Sequence, residues 1–519
     1  MAVALFRVDA STQMGCGHVY RCLTLAQSLR GTGLRCHFVC REHAGHLGAL
    51  ITANGFELTL LPPSEVSLLA SERQPYQQWL GASWQQDAQQ TLAVVDELGI
   101  AAVELLVVDH YGLDARWQQL LRRRCRRILV LDDLADRPLD ADWVLDQTFG
   151  RQAEDYRHCL RRSDAQVLAG AEYALLRPEF AQLRSQALAR RQQPLAIPRL
   201  LLTLGGADPE NHSATVLRSL AEAFRPQQLA VDLVIGASNP HVTELAGLVE
   251  RLPLSVQLHV ATSRMAELMV AADLAIGAAG TTSWERCVLG LPTLTLCLAD
   301  NQRQVLANLA QCGAIAPLAI DALAEPKALK RAIEATLQQR HEMQSAAVAI
   351  TDGLGVKRVL MALLSEPLRD GRALQIRFGT AADCKTLFDW QCAPPTRRFA
   401  RHPEPPLWQQ HQHWYQQKLL ASDALLAFMT LDDEPVGMLR LDPVAGTDQH
   451  EISVLVSPNH YRLGIAQAGL KLLRRLYPEC HLLATVLAGN AASHGLFQRL
   501  GYQPISPQQY QLLPQELIE

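Results

Sequence analysis

The sequence predicts an α/β protein with two parallel-sheet domains and a smaller mixed domain, and three observations support this prediction. Short apolar strands alternate with helical stretches over residues 1–180. The same alternation restarts at residues 199–206, after a polar stretch. Alternation of this kind is typical of a parallel sheet with crossover helices. Residues 374–519 differ, because a helical part rich in Trp, Gln and His precedes several strands that follow one another.

Length and composition favour a multidomain protein and argue against several kinds of partner and ligand. A chain of 519 residues is long enough for several domains, each with its own core. The 48 basic and 52 acidic residues nearly balance, and no basic run favours nucleic acid as a partner. No apolar run approaches the ~18 residues of a membrane span, and residues 1–20 lack the features of a signal peptide. Twelve cysteines without a paired zinc-ligand spacing indicate reduced, mostly buried thiols. We therefore expect a cytoplasmic protein with no metal and no membrane or nucleic-acid partner.

The first predicted domain covers residues 1–185. Its predicted strands are Val3–Val8, Arg35–Cys40, Leu105–Asp109, Arg127–Asp132 and Trp143–Leu145. Helices are expected to begin near His18, Ser83 and Asp114. Residues 181–197 are polar and contain a proline, so we interpret them as a connector.

The second predicted domain covers residues 195–360. Its predicted strands are one that begins at Arg199, then Val231–Ile235, Val256–Val260, Leu274–Gly277 and Thr293–Leu296. Two α/β halves of similar size indicate a pair of Rossmann-type domains that face each other across a cleft. Ligands of such sheets bind beyond the carboxyl ends of the strands, so the cleft is the expected binding site.

The third predicted domain, residues 374–519, follows a boundary near Ser365–Ala373. Its predicted strands lie near Ala424–Leu431, Gly437–Asp442 and Glu451–Val456. The last of these runs into a turn that contains glycine and then into a helix.

The turn between the first strand and the first helix contains residues suited to anion binding and proton transfer. Gly15 and Gly17 flank Cys16 immediately before His18. A strand that leads through such a turn into a helix presents backbone N–H groups and the positive helix end to an anion. The same helix end favours a neutral imidazole at His18, which can accept a proton from water. A structural capping histidine is the alternative.

The run Gly15-x-Gly-His-x-x-Arg21 resembles the start of the UDP-sugar hydrolases of the pseudaminic acid pathway, which are relatives of the GT-B glycosyltransferases. The other segments that agree, in family order, are Val108–Gly112, Val130–Ala135, Leu168–Phe180, Gly205–Asp208 and Ile235–His241. The resemblance covers nearly all of residues 1–350 and implies a GT-B-like pair of Rossmann-type domains with His18 as the base. The implied reaction is attack of water on C1 of a UDP-2,4-diacetamido-2,4,6-trideoxyaltrose, which releases UDP and the free sugar.

The residues that accompany His18 in these motifs are expected to bind the substrate. These residues are Gly15, Gly17, Arg21, Asp109, Tyr111 and Gly205. Asp109 and Tyr111 end a predicted strand, so they can bind sugar hydroxyls or hold His18. Core and capping roles remain open for both.

The stretch Gly277–Glu285 predicts a nucleotide site in the second domain. It follows an apolar strand and opens a helix, so Gly280, Thr281 and Ser283 can offer N–H and hydroxyl groups to a diphosphate. Glu285, on the first helical turn, can accept both ribose hydroxyls; stabilisation of its own helix is the alternative. Asn301 is expected to contact the nucleotide or to cap a helix.

The segments Glu451–Pro458 and Tyr461–Ala466, with Asn490–Ser493 and Phe497–Tyr502 downstream, resemble a GNAT acetyltransferase. The resemblance covers about residues 374–512 and implies a mixed α/β GNAT domain that uses acetyl-CoA as its co-substrate. The residues implied to bind acetyl-CoA are Val456, Arg462, Gly464, Ala466, Asn490 and Ser493.

Two features of this region depart from the GNAT pattern. Tyr461, followed by Arg462, occupies a position where Arg or Gln is usual. Phe497 stands where many relatives carry a tyrosine that protonates the departing thiolate, which leaves Tyr502 as a candidate acid.

Glu451 is a candidate base for the amine through water, with a plain surface carboxylate as the alternative. Nearby arginines, Arg401 among them, can hold the diphosphate of an acceptor.

The two resemblances together predict a bifunctional enzyme of nonulosonic acid synthesis. Residues 374–519 would acetylate N4 of a UDP-amino sugar, and residues 1–360 would hydrolyse the product with water. A GT-B glycosyltransferase with an appended acetyltransferase is one alternative. A nucleotide-sugar-binding module with one inactive domain is the other.

Overall fold

The computed structural model describes residues 2–63, 75–194, 196–237, 239–421 and 423–515. The chain divides into two compact units. One comprises Met1–Gln27 and Leu34–Val356, and the other comprises Ser28–Gly33 and Lys357–Glu519. The first unit contains two parallel sheets, and the second contains one mixed sheet.

The first sheet has seven described strands in the order β3-β2-β1-β4-β5-β6-β7. They are β1 (Val3–Val8), β2 (Arg35–Arg41), β3 (Glu57–Leu61), β4 (Leu105–Asp109), β5 (Ile128–Leu131), β6 (Trp143–Asp146) and β7 (Gln166–Ala169). The helices that follow along the chain are α1 (Gly17–Gly31), α2 (Gly48–Ala53), α3 (Trp84–Glu97), α4 (Ala115–Arg122) and α5 (Pro178–Arg191). Central strands β1 and β4 are buried throughout and pair in parallel, with Val8 opposite Asp109. Their carboxyl ends therefore meet at one edge, where the strand order reverses, which is the usual ligand position in such sheets.

The second sheet repeats this arrangement in the order β10-β9-β8-β11-β12-β13. Its strands are β8 (Arg199–Thr203), β9 (Ala230–Ile235), β10 (Ser255–Val260), β11 (Leu274–Ala278), β12 (Thr293–Leu296) and β13 (Ala316–Pro317). Its helices are α6 (His212–Ala223), α7 (Val242–Arg251), α8 (Met265–Ala271), α9 (Thr282–Val288), α10 (Arg303–Gln311), α11 (Pro326–Gln338) and α12 (Arg340–Val348). Helix α13 (Gly355–Leu363) follows and belongs to the second unit from Lys357 onwards. The order reverses between β8 and β11, so the predicted pair of Rossmann-type sheets is confirmed.

The third sheet has the order β14-β15-β16-β17-β18-β19-β21-β20. Its strands are β14 (Glu366–Pro367), β15 (Ala373–Phe378), β16 (Leu425–Leu431), β17 (Glu434–Pro443), β18 (Gln449–Val456), β19 (His481–Thr485), β20 (Gln503–Ser506) and β21 (Gln509–Leu512). Its helices are α14 (Cys384–Cys392), α15 (Pro394–Arg397), α16 (Trp408–Leu420), α17 (Ile465–Leu476) and α18 (Ala491–Arg499).

Strands β18 and β19 form a parallel pair inside this otherwise antiparallel sheet. They pair only from Gln449 opposite His481 to Glu451 opposite Leu483. Strand β18 continues to Val456 and β19 continues to Thr485. The two strands therefore separate beyond Glu451, and the opening between them exposes unpaired backbone to a ligand.

The interpretation of residues 181–197 as a connector is wrong for residues 181–191, which belong to helix α5. This helix begins with Pro178, a residue suited to the first helical turn. Arg184 donates hydrogen bonds to the carbonyl oxygens of Val288 and Thr351, and Arg191 donates to that of Met269. These arginines tie the polar helix to the second sheet's helices, a contribution that hydrophobic periodicity does not report.

The predicted boundary near Ser365–Ala373 contains structure as well. Strand β14 pairs antiparallel with β15 through Glu366 opposite Leu374. In the described ranges, no helix has the length and apolar character needed to cross a membrane.

Candidate active sites

The turn before α1 faces the second sheet of the same unit. Gly15 has a φ of +77°, and its N–H donates to the carbonyl oxygen of Ser11 at 2.9 Å. A Cβ placed on Gly17 would lie 3.7 Å from Cγ2 of Thr281, and one on Gly206 would lie 4.0 Å from Sγ of Cys16. The glycines therefore allow close approach across the predicted cleft.

His18, at the start of α1, and Asp109, at the end of β4, form a short hydrogen-bonded pair. Nδ1 of His18 lies 2.6 Å from Oδ1 of Asp109, whose side chain is fully buried. Burial opposes ionisation of Asp109, but the Arg21 guanidinium and the His18 ring outweigh it and lower the pKa of the carboxyl well below its usual range. The ionised carboxylate can only accept, so Nδ1 of a neutral ring donates, and the lone pair is on Nε2. No described residue hydrogen-bonds Nε2 of His18.

Arg21 holds the aspartate of this pair in place. Nε and Nη2 of Arg21 donate to the two carboxylate oxygens of Asp109 at 2.6 and 2.7 Å. Nη1 donates to Asp133, which also accepts from the hydroxyl of Tyr111 at 2.5 Å. The rings of Tyr111 and His18 meet edge-on with centroids 4.8 Å apart. The structure thus brings together His18, Arg21, Asp109 and Tyr111, and it uses the arginine to fix the imidazole through its carboxylate partner.

Sequence reasoning missed a buried charge network beneath this site. Nη1 of Arg7 donates to Asp9 at 2.7 Å, and Nη2 donates to Asp87 at 2.6 Å. Arg41 and the indole N–H of Trp117 also donate to Asp87. All four charged side chains are fully buried. The signal was Arg7 inside an apolar strand, because a buried arginine requires carboxylate partners.

The predicted nucleotide turn contains one unsatisfied carboxylate oxygen. Oε2 of Glu285 is buried and has no hydrogen-bond partner among the described residues. Burial raises the pKa of Glu285 to about 7, against the opposing charges of Arg177 and Arg286. A buried polar atom without a partner costs free energy until a ligand or water pairs with it. Glu285 therefore has an acceptor oxygen available to a ligand.

The structure also places the other substrate-binding residues that the sequence predicts for the second domain. Gly280 and Thr281 precede α9, and Gly205 has a φ of +96° in the turn after β8. The side chain of Ser283 is buried, and its Oγ accepts a hydrogen bond from Arg286 at 3.1 Å. That hydroxyl is therefore directed into the domain. The side chain of Asn301 lies outside the described part of the chain.

The predicted acetyl-CoA turn connects β18 to α17. Gly464 has a φ of +88° and caps α17, and Arg462 before it has a φ of +68°. Ala466 lies on the first turn of the helix. Val456 ends β18 where that strand has left β19. This geometry leaves backbone N–H groups at the helix start next to the opening between the strands, an arrangement suited to a pyrophosphate.

Two further predicted residues lie at the start of α18. The side chain of Asn490 caps this helix by accepting from the N–H of Ser493 at 3.2 Å.

Glu451 is a paired carboxylate. Its Oε1 accepts from the Thr485 hydroxyl at 2.8 Å and from the guanidinium of Arg401. Glu451 lies at the last position where β18 and β19 still pair. The carboxylate therefore sits at the beginning of the opening, and an arginine from the segment before α16 holds it.

The phenol of Tyr502 is enclosed. Its side chain is buried, and its hydroxyl has no hydrogen-bond partner among the described residues. Burial raises the pKa of Tyr502 well above its usual range, although Arg474 opposes this. Its ring packs edge-on against Phe497 at 5.0 Å between centroids.

The histidines of the segment before β16 do not converge. His411 is buried and bonds Gln391 and the carbonyl oxygen of Cys384, whereas His413 bonds Gln417. Over the residues that the structure describes, no group of three or more His, Cys, Asp or Glu side chains is placed to hold a metal ion.

Comparison with known proteins agrees with this division of the chain. Residues 385–502 match the model of the Acetyltransferase (GNAT) family. An uncharacterized protein of Methanocaldococcus jannaschii is 22% identical over 520 residues, which cover 97% of each chain. UDP-2,4-diacetamido-2,4,6-trideoxy-beta-L-altropyranose hydrolase of Campylobacter jejuni is 26% identical over 310 residues, 60% of this chain and 96% of that protein. Spore coat polysaccharide biosynthesis protein SpsG of Bacillus subtilis is 23% identical over 279 residues, 53% of this chain and 80% of that protein.

The fold and these comparisons support one description of the architecture. Two Rossmann-type sheets occupy the part of the chain that aligns with the hydrolase and with SpsG. The mixed sheet with separated parallel strands coincides with the match to the acetyltransferase model. The chain therefore joins an N-terminal region that resembles the UDP-diacetamido-trideoxyaltrose hydrolase and SpsG family to a C-terminal GNAT domain.

Proposed function

We propose that the N-terminal region hydrolyses a UDP-2,4-diacetamido-2,4,6-trideoxyaltrose to UDP and the free sugar. The observation that carries this proposal is the His18–Asp109 pair, in which the donated proton on Nδ1 leaves Nε2 as a base. A base held in this way beside a nucleotide turn suits activation of water. Water would transfer a proton to Nε2 as its oxygen attacks C1, and the C1–O bond would break with UDP as the leaving group.

The second sheet would hold the UDP part of the substrate. Glu285 would accept the ribose hydroxyls with its unsatisfied oxygen, and the turn at Gly280 and Thr281 would lie against the diphosphate. N–H groups and dipoles at this turn would stabilise the charge that develops on the leaving oxygen. The close approach of Gly17 to Thr281 would bring the two halves of the site onto one substrate.

The GNAT domain would transfer the acetyl group of acetyl-CoA to the 4-amino group of the UDP-sugar precursor. Its product would then be the substrate of the hydrolase. Acetyl-CoA would enter the opening between β18 and β19, with its pyrophosphate at the turn that contains Gly464.

The direct test incubates the full chain with UDP-4-amino-4,6-dideoxy-N-acetylaltrosamine, with and without acetyl-CoA, and follows the products by mass spectrometry. We expect the acetylated UDP-sugar first, then UDP and the free diacetamido sugar. The N-terminal region of a glycosyltransferase would release little UDP without a sugar acceptor. Formation of the acetylated UDP-sugar without release of free sugar and UDP would thus exclude the hydrolase assignment. Absence of any acetylated product, UDP-linked or free, would exclude this acetyl acceptor.

UDP affinity is expected to rise from about pH 6 to about pH 8 because of Glu285. Burial raises the pKa of this residue to about 7, and only the ionised carboxylate accepts from both ribose hydroxyls. Raising the pH ionises the carboxylate and strengthens binding. Glu285→Gln should weaken UDP binding about tenfold at the higher pH, since a hydrogen bond to a charged group is lost.

Isothermal titration of both proteins across this pH range measures the effect of Glu285. UDP ionises identically in the two experiments, so the difference between the proteins reports the residue alone. Equal affinities and equal pH dependence for wild type and Glu285→Gln would rule out the ribose contact.

Gly464→Ala is expected to raise the KM for acetyl-CoA about tenfold, since a non-glycine residue at positive φ costs roughly 1–2 kcal/mol and distorts the turn. Gly446→Ala is the matched control. Gly446 also has a positive φ, +75°, and a Cβ at either position would meet no atom within 4 Å. Both variants should lose similar thermal stability, but only Gly464→Ala should change the KM. A similar KM in both would show that the turn does not bind acetyl-CoA.

A further inference from the structure

Cleavage of the acetyl-CoA thioester releases a thiolate, and Phe497 cannot give it a proton. Two tyrosines pack against this phenylalanine. The ring centroids of Tyr502 and Tyr510 lie 5.0 and 6.0 Å from that of Phe497. The hydroxyls of these tyrosines differ in their surroundings, and that difference identifies a proton donor.

Tyr510 lies one strand away from the opening that the two parallel strands leave, because β19 stands between that opening and β21. It is on β21, directly opposite Ala484 of β19. Ala484 is the first residue of β19 beyond the last pair, Glu451 and Leu483. Tyr510 is therefore across β19 from the point where β18 and β19 separate, and its buried ring stacks against that of Phe497 on α18.

The hydroxyl of Tyr510 is connected to a histidine. It lies 2.8 Å from Nδ1 of His494, which is on the first turns of α18 and is half-buried. With the imidazole proton on Nδ1, the ring donates to the phenol oxygen and leaves the phenol proton available to another acceptor. Tyr502 lacks such a route, because its buried hydroxyl has no partner among the described residues and its burial disfavours tyrosinate.

We propose that Tyr510 is the proton donor to the CoA thiolate and that His494 is the residue that positions and reprotonates it. This inference rests on the proposed acetyltransferase function of the domain. The amine nitrogen attacks the thioester carbon, and the C–S bond breaks as the N–C bond forms. The phenol proton passes to sulfur, Nδ1–H of His494 returns a proton to the phenolate oxygen, and Nε2 of the histidine takes one from solvent. Loss of the Nε2 proton to solvent and gain of one at Nδ1 then restore the starting tautomer. The proton lost by the amine goes to solvent, so the reaction balances as amine plus acetyl-CoA giving amide plus CoA.

The alternative is a structural hydrogen bond that only fastens α18 to β21. A structural bond would affect thermal stability and would leave the pH profile of the reaction unchanged. A proton donor has the opposite signature, because kcat depends on its protonation state. The chain also offers a rescue, since a hydroxyl placed at position 497 would stand in the same cluster of rings.

The test measures CoA release by the full chain with Tyr510→Phe, Tyr502→Phe, His494→Gln and the double variant Tyr510→Phe/Phe497→Tyr. The nucleophiles are the UDP-4-amino sugar and, separately, hydroxylamine, a small nucleophile that needs no sugar site. General acid catalysis is typically worth at least about 100-fold, so Tyr510→Phe should lower kcat by about that factor. The KM for acetyl-CoA should stay within about twofold, and thermal unfolding should show a folded domain. Tyr502→Phe should leave kcat within about threefold of wild type.

Each result bears on one side of the proposal. Loss of the alkaline limb of the kcat profile in Tyr510→Phe, a smaller kcat loss in His494→Gln and recovery in the double variant would support it. A normal kcat in folded Tyr510→Phe, or a large loss in Tyr502→Phe instead, would overturn it. CoA release with hydroxylamine but not with the sugar would refute the proposed acceptor and leave the proton donor testable. No release by wild type with either nucleophile would count against both.

Discussion

His18→Ala is expected to lower the rate of UDP release by about 1,000-fold, since general-base catalysis by a positioned side chain typically contributes 100- to 10,000-fold. The alanine removes the imidazole that would take a proton from water. Asp109, Arg21 and the UDP turn should stay in place, because Arg21 holds Asp109 through two of its own hydrogen bonds. The acetylated UDP-sugar should therefore accumulate when the variant receives acetyl-CoA and the amino sugar precursor.

Two measurements make this result specific to the imidazole. UDP affinity, measured by titration, should stay within about threefold of wild type, which separates loss of chemistry from loss of binding. His341→Ala is a matched control, because His341 is exposed on α12 of the same unit. The control should release UDP at the wild-type rate. A normal rate in His18→Ala itself would show that another group activates the water.

Asp109→Asn is expected to lower UDP release almost as strongly, by about 100- to 1,000-fold. The two oxygens of Asp109 accept from both Arg21 and His18. An amide has one oxygen and one NH2 group, so one position must place a donor against a donor. If the NH2 group faces His18, the imidazole proton moves to Nε2 and the base is lost. If it faces Nε of Arg21, the arginine moves away and the pair loses its support.

Asp133→Asn separates the tautomer effect from a general loss of packing. Asp133 is the second carboxylate partner of Arg21 and also accepts from Tyr111, but it makes no bond to His18. Both variants weaken the anchor of Arg21, and thermal unfolding should report comparable losses. Single-turnover rates should fall far more in Asp109→Asn than in Asp133→Asn. Equal rates in the two variants would mean that Asp109 acts only through the arginine.

Much of the fold was predictable from local patterns. The limits of β1, β4 and β12 agree with the predicted strands Val3–Val8, Leu105–Asp109 and Thr293–Leu296. Long apolar runs bounded by polar turns identify buried central strands because both faces of a parallel sheet are covered. Ser83 and Asp114 cap helices α3 and α4 through their own side chains, as their residue types predict.

Several of the elements that escaped prediction lie at sheet edges or in polar sequence. Strand β3, residues Glu57–Leu61, is partly exposed, and β7 is a four-residue edge strand. Short, half-exposed strands carry little hydrophobic signal, since their stability comes from pairing with a neighbour already in place. Strands β20 and β21 were missed for a similar reason, because their sequences are polar and carry little hydrophobic signal.

For the candidate sites, too, some features were predictable from sequence and others were not. Motif spacing alone selected His18, Glu285 and Gly464 as candidates, because a tight turn before a helix needs glycine and small residues within a few positions of a ligand-binding group. Motif spacing did not decide whether Asp109 holds His18 or binds a sugar hydroxyl. Asp109 is 91 residues away from His18 in sequence.

Local patterns in the chain are sufficient to predict the three-sheet architecture and the turns where ligands are expected, because periodicity and turn chemistry are local properties. The hydrogen-bond partners are visible only once the chain is folded: Asp109 for His18, Asp133 for Tyr111, and Tyr510 for His494. These hydrogen bonds join residues whose separation in the chain carries no information about their distance in space. Their geometry depends on which strands become neighbours, and that follows from burying the whole of each sheet at once.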